Sequence, residues 1–146
     1  MTRLNIIEPE HLTRVHLVAE YKEITQFLHL IQRRIHNNVP MDDIPEQYTL
    51  NGGHCKFFYN KGKYVQERFT DLYYEMLNRE IRVDKAKYLQ RLERIISSYT
   101  DELRGDYSPS LYDYSIAIDR ITERINQKPH LYNDKEIFFN NVSRYI

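Results

Sequence analysis

Residues 12–36 read LTRVHLVAEYKEITQFLHLIQRRIH, and the spacing of their apolar side chains decides the fold class. Leu17, Tyr21, Ile24, Leu28, Ile31 and Ile35 alternate three and four apart, the signature of one apolar stripe along an α-helix. The spacing predicts one long helix over about 12–36. At about 100° per residue, Glu20 falls at the edge of that stripe and Glu23 further round, near His16. His16, Glu20 and Glu23 therefore share a flank between core and solvent. Pro40 and Pro45 mark the segment that follows as loop.

The same period recurs downstream. Asn51-Gly52-Gly53-His54 reads as a flexible turn, followed by the aromatic run Phe57-Phe58-Tyr59. A helix over about 62–80 buries Val65, Phe69, Leu72, Tyr73 and Met76. Another, over about 84–99, turns Tyr88, Leu92, Ile95 and Tyr99 inward beneath a strongly charged outer face. Arg104-Gly105-Asp106-Tyr107-Ser108-Pro109 reads as a turn. A last helix over about 111–127 carries Tyr114, Ile118, Ile121 and Ile125 and stops before Pro129. No stretch alternates as a strand. The expectation is an all-α chain, a single compact domain spanning residues 1–146, with three to four helices and long loops.

Composition narrows the function classes. Lys plus Arg and Asp plus Glu both number 21, so the chain is formally neutral. Any nucleic-acid binding must come from a local basic patch rather than a global field. Cys55 is the only cysteine, which excludes an internal disulfide and favours a reducing compartment. No apolar run approaches about 18 residues and the amino terminus has no apolar signal segment. The expectation is a soluble, cytoplasmic monomer without a membrane partner. The six His and one Cys show no metal-ligand spacing, and no P-loop, dinucleotide fingerprint or nucleophile elbow is present. Thirteen Tyr and six Phe supply either core or platforms for flat ligands such as bases.

Met1-Thr2-Arg3 opens the chain. The small residue at position 2 lets an aminopeptidase remove Met1, leaving Thr2 as the amino terminus. An α-amine titrates near ~7.7–8.0, far closer to neutrality than a lysine at ~10.4, so a useful fraction is nucleophilic at physiological pH. Amine nucleophiles form Schiff bases with carbonyl carbons. A buried carboxylate from the first helix beside that amine would complete a compact imine-forming site. Most helix-surface glutamates are simply solvated, and spacing alone does not separate Glu20 from Glu23.

Arg120 and Arg124 are four apart on the last helix, and Lys128 four further on. They form a row of cations on the face away from the isoleucines, suited to backbone phosphates. Asp119 and Glu123 sit next to them, so an ordinary solvated face fits equally well. Arg3, Arg14 and Lys22 add positive charge near the amino terminus. His54, after two glycines, is either a ligand or a residue tying down the turn.

Three blocks together resemble the pyrimidine-dimer DNA glycosylase family. They are Met1-Thr2-Arg3 through His16, Leu17 and Ala19-Glu20-Tyr21-Lys22-Glu23; Leu50-Asn-Gly-Gly53-His54 with Phe57-Phe58-Tyr59; and Leu103-Arg104-Gly105-Asp106-Tyr107 with Ile116-Ala117-Ile118 and Gln127-Lys128-Pro129. The resemblance implies a glycosylase and abasic-site lyase acting on ultraviolet-damaged double-stranded DNA, without metal or cofactor. It places the nucleophilic amine on Thr2 and the catalytic glutamate on Glu23. Arg3, Lys22, Arg120 and Arg124 fall on DNA-contacting positions, and His16 on a position near the active centre. It also implies that a base is flipped from the stack.

The chain departs from the family pattern in several places. Lys22 and Gln26 stand where the family has arginines, which removes forked donation to phosphate. The aromatic tail becomes His130-Leu131-Tyr132-Asn133-Asp134, where only Tyr132 keeps register, with Phe138, Phe139 and Tyr145 as candidate substitutes. Residues 84–101 match poorly. Neutral charge implies weaker salt-sensitive scanning along undamaged DNA. Two alternatives stand beside the dimer enzyme: the same imine chemistry on other damaged pyrimidines or abasic sites, and a non-enzymatic helical DNA-binding domain.

Overall fold

The computed structural model describes residues 4–146. Among these, five α-helices have nine residues or more: α1 (Arg14–Glu23), α2 (Leu28–His36), α4 (Gly62–Asn78), α5 (Lys85–Ser98) and α6 (Leu111–Gln127). Two four-residue helices, α3 (His54–Phe57) and α7 (Glu136–Phe139), complete the set. No strand occurs among the described residues; the nearest approach is one isolated bridge between Lys61 and Arg104. The all-α expectation holds, but the count of three to four helices does not.

The difference arises in the stretch that opens the sequence. The helix expected over 12–36 is two helices, because the chain tightens between them. Gln26 N–H donates to Glu23, Leu28 N–H to Thr25 and Leu30 N–H to Phe27, all three-residue bonds. Ile24, Thr25, Phe27 and Leu28 are all buried, a wider arc than one straight stripe presents. Arg91 stabilises the break from α5. Its guanidinium donates to the Tyr21 carbonyl and the Thr25 hydroxyl and lies over the Tyr21 and Phe69 rings. Carbonyls left unpaired at the end of α1 are thus satisfied by a neighbouring helix. Ile35, past the break, is 37% exposed.

The remaining boundaries follow local chemistry. Thr13 caps α1 by accepting from the His16 N–H, Asp84 caps α5, and Ser110 with Asp113 forms a capping box on α6. α4 is the central helix, packed against both α1 and α5. Gly62 at its start is required by packing, since a Cβ there would lie 2.6 Å from Tyr99 Cγ. Val65, Phe69, Leu72, Tyr73 and Met76 all point into the core as their spacing predicts.

The tail after α6 folds back across the amino-terminal segment. Tyr132, Phe138 and Tyr145 are buried. The Tyr145 hydroxyl accepts from Glu8 N–H and pairs with His11 Nδ1. Asp134 accepts from the Arg14 N–H at the start of α1, a favourable site for a carboxylate. The amino-terminal segment is thereby held between α4 on one side and the tail on the other.

Candidate active site

A cleft of about 370 Å³ opens where the amino-terminal segment, α1, α6 and the tail meet. α1 contributes Val15, His16, Ala19, Glu20 and Glu23, and α6 contributes Ala117, Arg120, Ile121 and Arg124. Leu4, Asn5, Tyr48, Leu50 and Tyr132 close the wall. The volume lies within the range of small-ligand sites, about 300–1,000 Å³.

The flank predicted for α1 is real, but its two glutamates are used differently. Glu20 is buried and takes two parallel bonds from Arg68: Nε to Oε2 and Nη2 to Oε1, each 2.8 Å. Arg68 Nη1 donates to the Ile7 carbonyl at 2.7 Å. Burial opposes the Arg68 charge, yet the Glu20 carboxylate more than offsets it and keeps the guanidinium firmly protonated. Glu23, one turn on, is half-buried and lines the cleft. Among the described residues it has no ion-pair partner. Of the two acids, only Glu23 is available to a ligand.

His16 faces the cleft and stacks on Tyr132 with ring centroids 4.9 Å apart. Burial, reinforced by the nearby Arg124 and opposed by Asp134, lowers its pKa to about 4. The imidazole is therefore neutral at pH 7. Its Nδ1 lies 3.0 Å from the Thr13 hydroxyl, which already accepts from the His16 N–H. The pairing that uses the hydroxyl proton makes Nδ1 the acceptor and leaves the ring proton on Nε2.

Arg120 and Arg124 do not lie on the face away from the isoleucines that is expected for them. They occupy the flank beside Ala117 and Ile121 and line the cleft opposite α1. Arg120 Nη2 donates to Asn51 Oδ1 at 3.1 Å, while Arg124 is exposed. Among the described residues, two cations and the one cleft carboxylate without an ion partner thus line the same cleft as a neutral histidine. Lys22 and Lys128 are exposed and lie outside the cleft lining. Thr2 and Arg3 lie outside the described residues.

A family model for pyrimidine dimer DNA glycosylase matches residues 1–89 of the 146. The chain belongs to that family. This makes the protein a DNA-repair glycosylase of the ultraviolet-damage class. The matched residues include the amino-terminal segment, α1 with His16 and Glu23, the Tyr48–His54 loop and α4 with Arg68. The third block of sequence resemblance, beyond residue 103, lies outside the match, as do Arg120, Arg124 and Tyr132.

Several residues that build or support this glycosylase's cleft are not singled out by sequence reasoning. Arg68, which lies outside the cleft lining and holds Glu20, is one. It sits on the inward stripe of α4 between Val65 and Leu72, and a buried arginine demands a carboxylate partner; that position is the signal that could have found it. Tyr48 and Asn5 carry no comparable signal. Of the tail aromatics, Tyr132 alone reaches the cleft; Phe138 and Tyr145 are spent in the core and Phe139 is 39% exposed. Among the described residues no group of three His, Cys, Asp or Glu side chains could hold a metal, and no helix is long and apolar enough to cross a membrane.

Proposed function

We propose that the protein is a pyrimidine-dimer DNA glycosylase with associated abasic-site lyase activity, using the Thr2 α-amine as nucleophile and Glu23 as catalytic carboxylate. The observation that carries this reading is the cleft itself. Leu4 and Asn5 line the same cavity as Glu23, and two residues of chain span at most about 7 Å. Leu4, two positions from Thr2 in the sequence, thus shares a cavity with the one cleft carboxylate that has no described ion partner, which supports pairing that amine with that acid.

The chemistry runs in two stages. The amine attacks the anomeric carbon of the damaged nucleotide, the glycosidic bond breaks, and the base leaves with the bonding electrons. Glu23 stabilises the positive charge that develops on the sugar. The amine nitrogen loses its proton, the sugar ring opens, and a Schiff base links enzyme to C1′. Glu23 then assists removal of the C2′ proton. Electrons flow into the imine and the 3′ phosphate departs by β-elimination. Arg3, Lys22, Arg120, Arg124 and Lys128 neutralise backbone phosphates around the lesion, and His16 lies against the flipped nucleotide as a neutral group. The protein acts as a monomer on damaged duplex DNA and needs no metal or cofactor.

Borohydride trapping without added metal, on duplexes carrying a thymine dimer or an abasic site, tests the reading. An adduct on the dimer duplex that maps to Thr2 supports amine, lyase and lesion class together. An adduct confined to the abasic duplex discards dimer specificity, and no adduct on either discards the amine mechanism.

A further inference from the structure

We propose that His54 is a positioning residue for the reaction, fixing through Leu4 the backbone to which the amino-terminal amine is tethered. The proposal rests on the reading that the Thr2 amine is the nucleophile.

Leu4 N–H donates to His54 Nε2 at 2.9 Å in a buried bond. The other ring nitrogen lies 2.7 Å from the Thr49 carbonyl. A carbonyl can only accept, so Nδ1 carries the proton and Nε2 is left as a lone-pair acceptor aimed at Leu4. Both ring nitrogens are thus committed, and the imidazole is 3% exposed. Tyr48 takes the other backbone group of Leu4, its hydroxyl donating to the carbonyl at 3.3 Å. The peptide groups on either side of Leu4 are held in place by two side chains of one loop.

That grip is more than is needed to bury the segment. Leu4, Ile6 and Ile7 are already sunk in the core, and Arg68 holds the Ile7 carbonyl. What the His54 bond adds is direction, at the first described backbone N–H, two residues from the Thr2 amine in the sequence. The loop that supplies it is itself braced. Gly53 takes a left-handed φ of 92° to start α3, and Asn51 receives Arg120 from α6. The loop therefore relates the amine's tether to the cation wall of the same cleft. Catalysis by a tethered nucleophile depends on this kind of registration, since about 1 Å of misplacement costs about 100-fold in rate.

Two substitutions separate the two bonds of the ring. His54→Asn keeps a donor for Thr49 but has no atom at the Nε2 position. His54→Gln places an amide oxygen there and restores the acceptor for Leu4. The measurement is the single-turnover rate of borohydride-trappable adduct at saturating dimer duplex, beside duplex affinity and melting temperature. His54→Asn is expected to slow trapping by about 30- to 100-fold with affinity within about twofold of wild type, and His54→Gln to recover most of the rate. Trapping by His54→Asn at near wild-type rate, or a loss that tracks affinity in both variants, overturns the proposal. Should His54→Asn not fold, Tyr48→Phe carries the test by removing only the bond to the Leu4 carbonyl. A severalfold slower rate at unchanged affinity supports positioning, and an unchanged rate overturns it. Mapping the wild-type adduct separates the two readings. An adduct away from Thr2 sinks the amine mechanism, whereas one on Thr2 with a full-rate His54→Asn sinks positioning alone.

Discussion

Arg68 and Glu20 meet edge to edge across α4 and α1, two parallel 2.8 Å bonds joining side chains only 5% and 4% exposed. This pair removes one of the two candidate acids from the chemistry and fixes the helix that carries the other. It also ties α1 to the amino-terminal segment through the Ile7 carbonyl. Glu20→Gln leaves a buried guanidinium without its counter-charge, a change that costs about 3–5 kcal/mol. Urea unfolding is expected to show that loss. A change below about 1 kcal/mol would mean that the pair is far less desolvated than its geometry indicates.

Glu23→Gln separates chemistry from folding. The side chain is half-buried with no described ion partner, so its amide is expected to leave the unfolding midpoint within about 0.5 kcal/mol of wild type. Duplex binding is expected to persist while strand cleavage is abolished. Cleavage at a near wild-type rate by the folded variant would remove Glu23 from the mechanism.

The contrast between the two glutamates marks how far the sequence could be read. The apolar period located α4, α5 and α6 to within about two residues, because each buries one regular stripe and ends at a cap or before a proline. It placed both acids on the right flank of α1. It could not divide them, because the partner that claims Glu20 lies 48 residues away on another helix. The break after Glu23 was hidden for the same reason: Ile24 to Ile31 continues the stripe, and the tightening depends on packing and on Arg91 from α5. Arg120 and Arg124 are legible as cations, but the face opposite the isoleucines is the wrong place for them: at about 100° per residue they fall about 60° and about 20° from Ala117, on the flank that lines the cleft. The turn at Gly52-Gly53 was legible, and so was the structural reading of His54, though not its grip on Leu4.

Arg120 and Arg124 are expected to bind duplex DNA without reading its sequence. Replacing both by Ala should weaken binding to damaged and undamaged duplexes alike and reduce the slope of log affinity against log salt by about 2. Arg120→Ala also frees Asn51, so the single variants are best compared with the double. An unchanged salt slope in the double variant would return both residues to an ordinary solvated face.

His16 makes stability fall on the acid side of neutrality. Its folded pKa of about 4 lies below the ordinary histidine value of 6.5, through burial first and the Arg124 charge second, with Asp134 opposing. The unfolded chain therefore takes up a proton near pH 6.5 that the folded protein refuses until about pH 4. In this window the unfolded state binds more protons, so stability rises with pH and is lost as pH falls. The full contribution is at most about 3 kcal/mol. It is present above pH 6.5 and exhausted near pH 4. His16→Gln should flatten the difference in urea unfolding free energy between pH 7 and 4 by about that amount. Because the ring stays neutral above pH 5, duplex affinity should show the same pH dependence between 6 and 8 in wild type and variant. A binding enhancement below pH 7 that vanishes in His16→Gln would show instead that the imidazole charges against DNA and contributes as a cation.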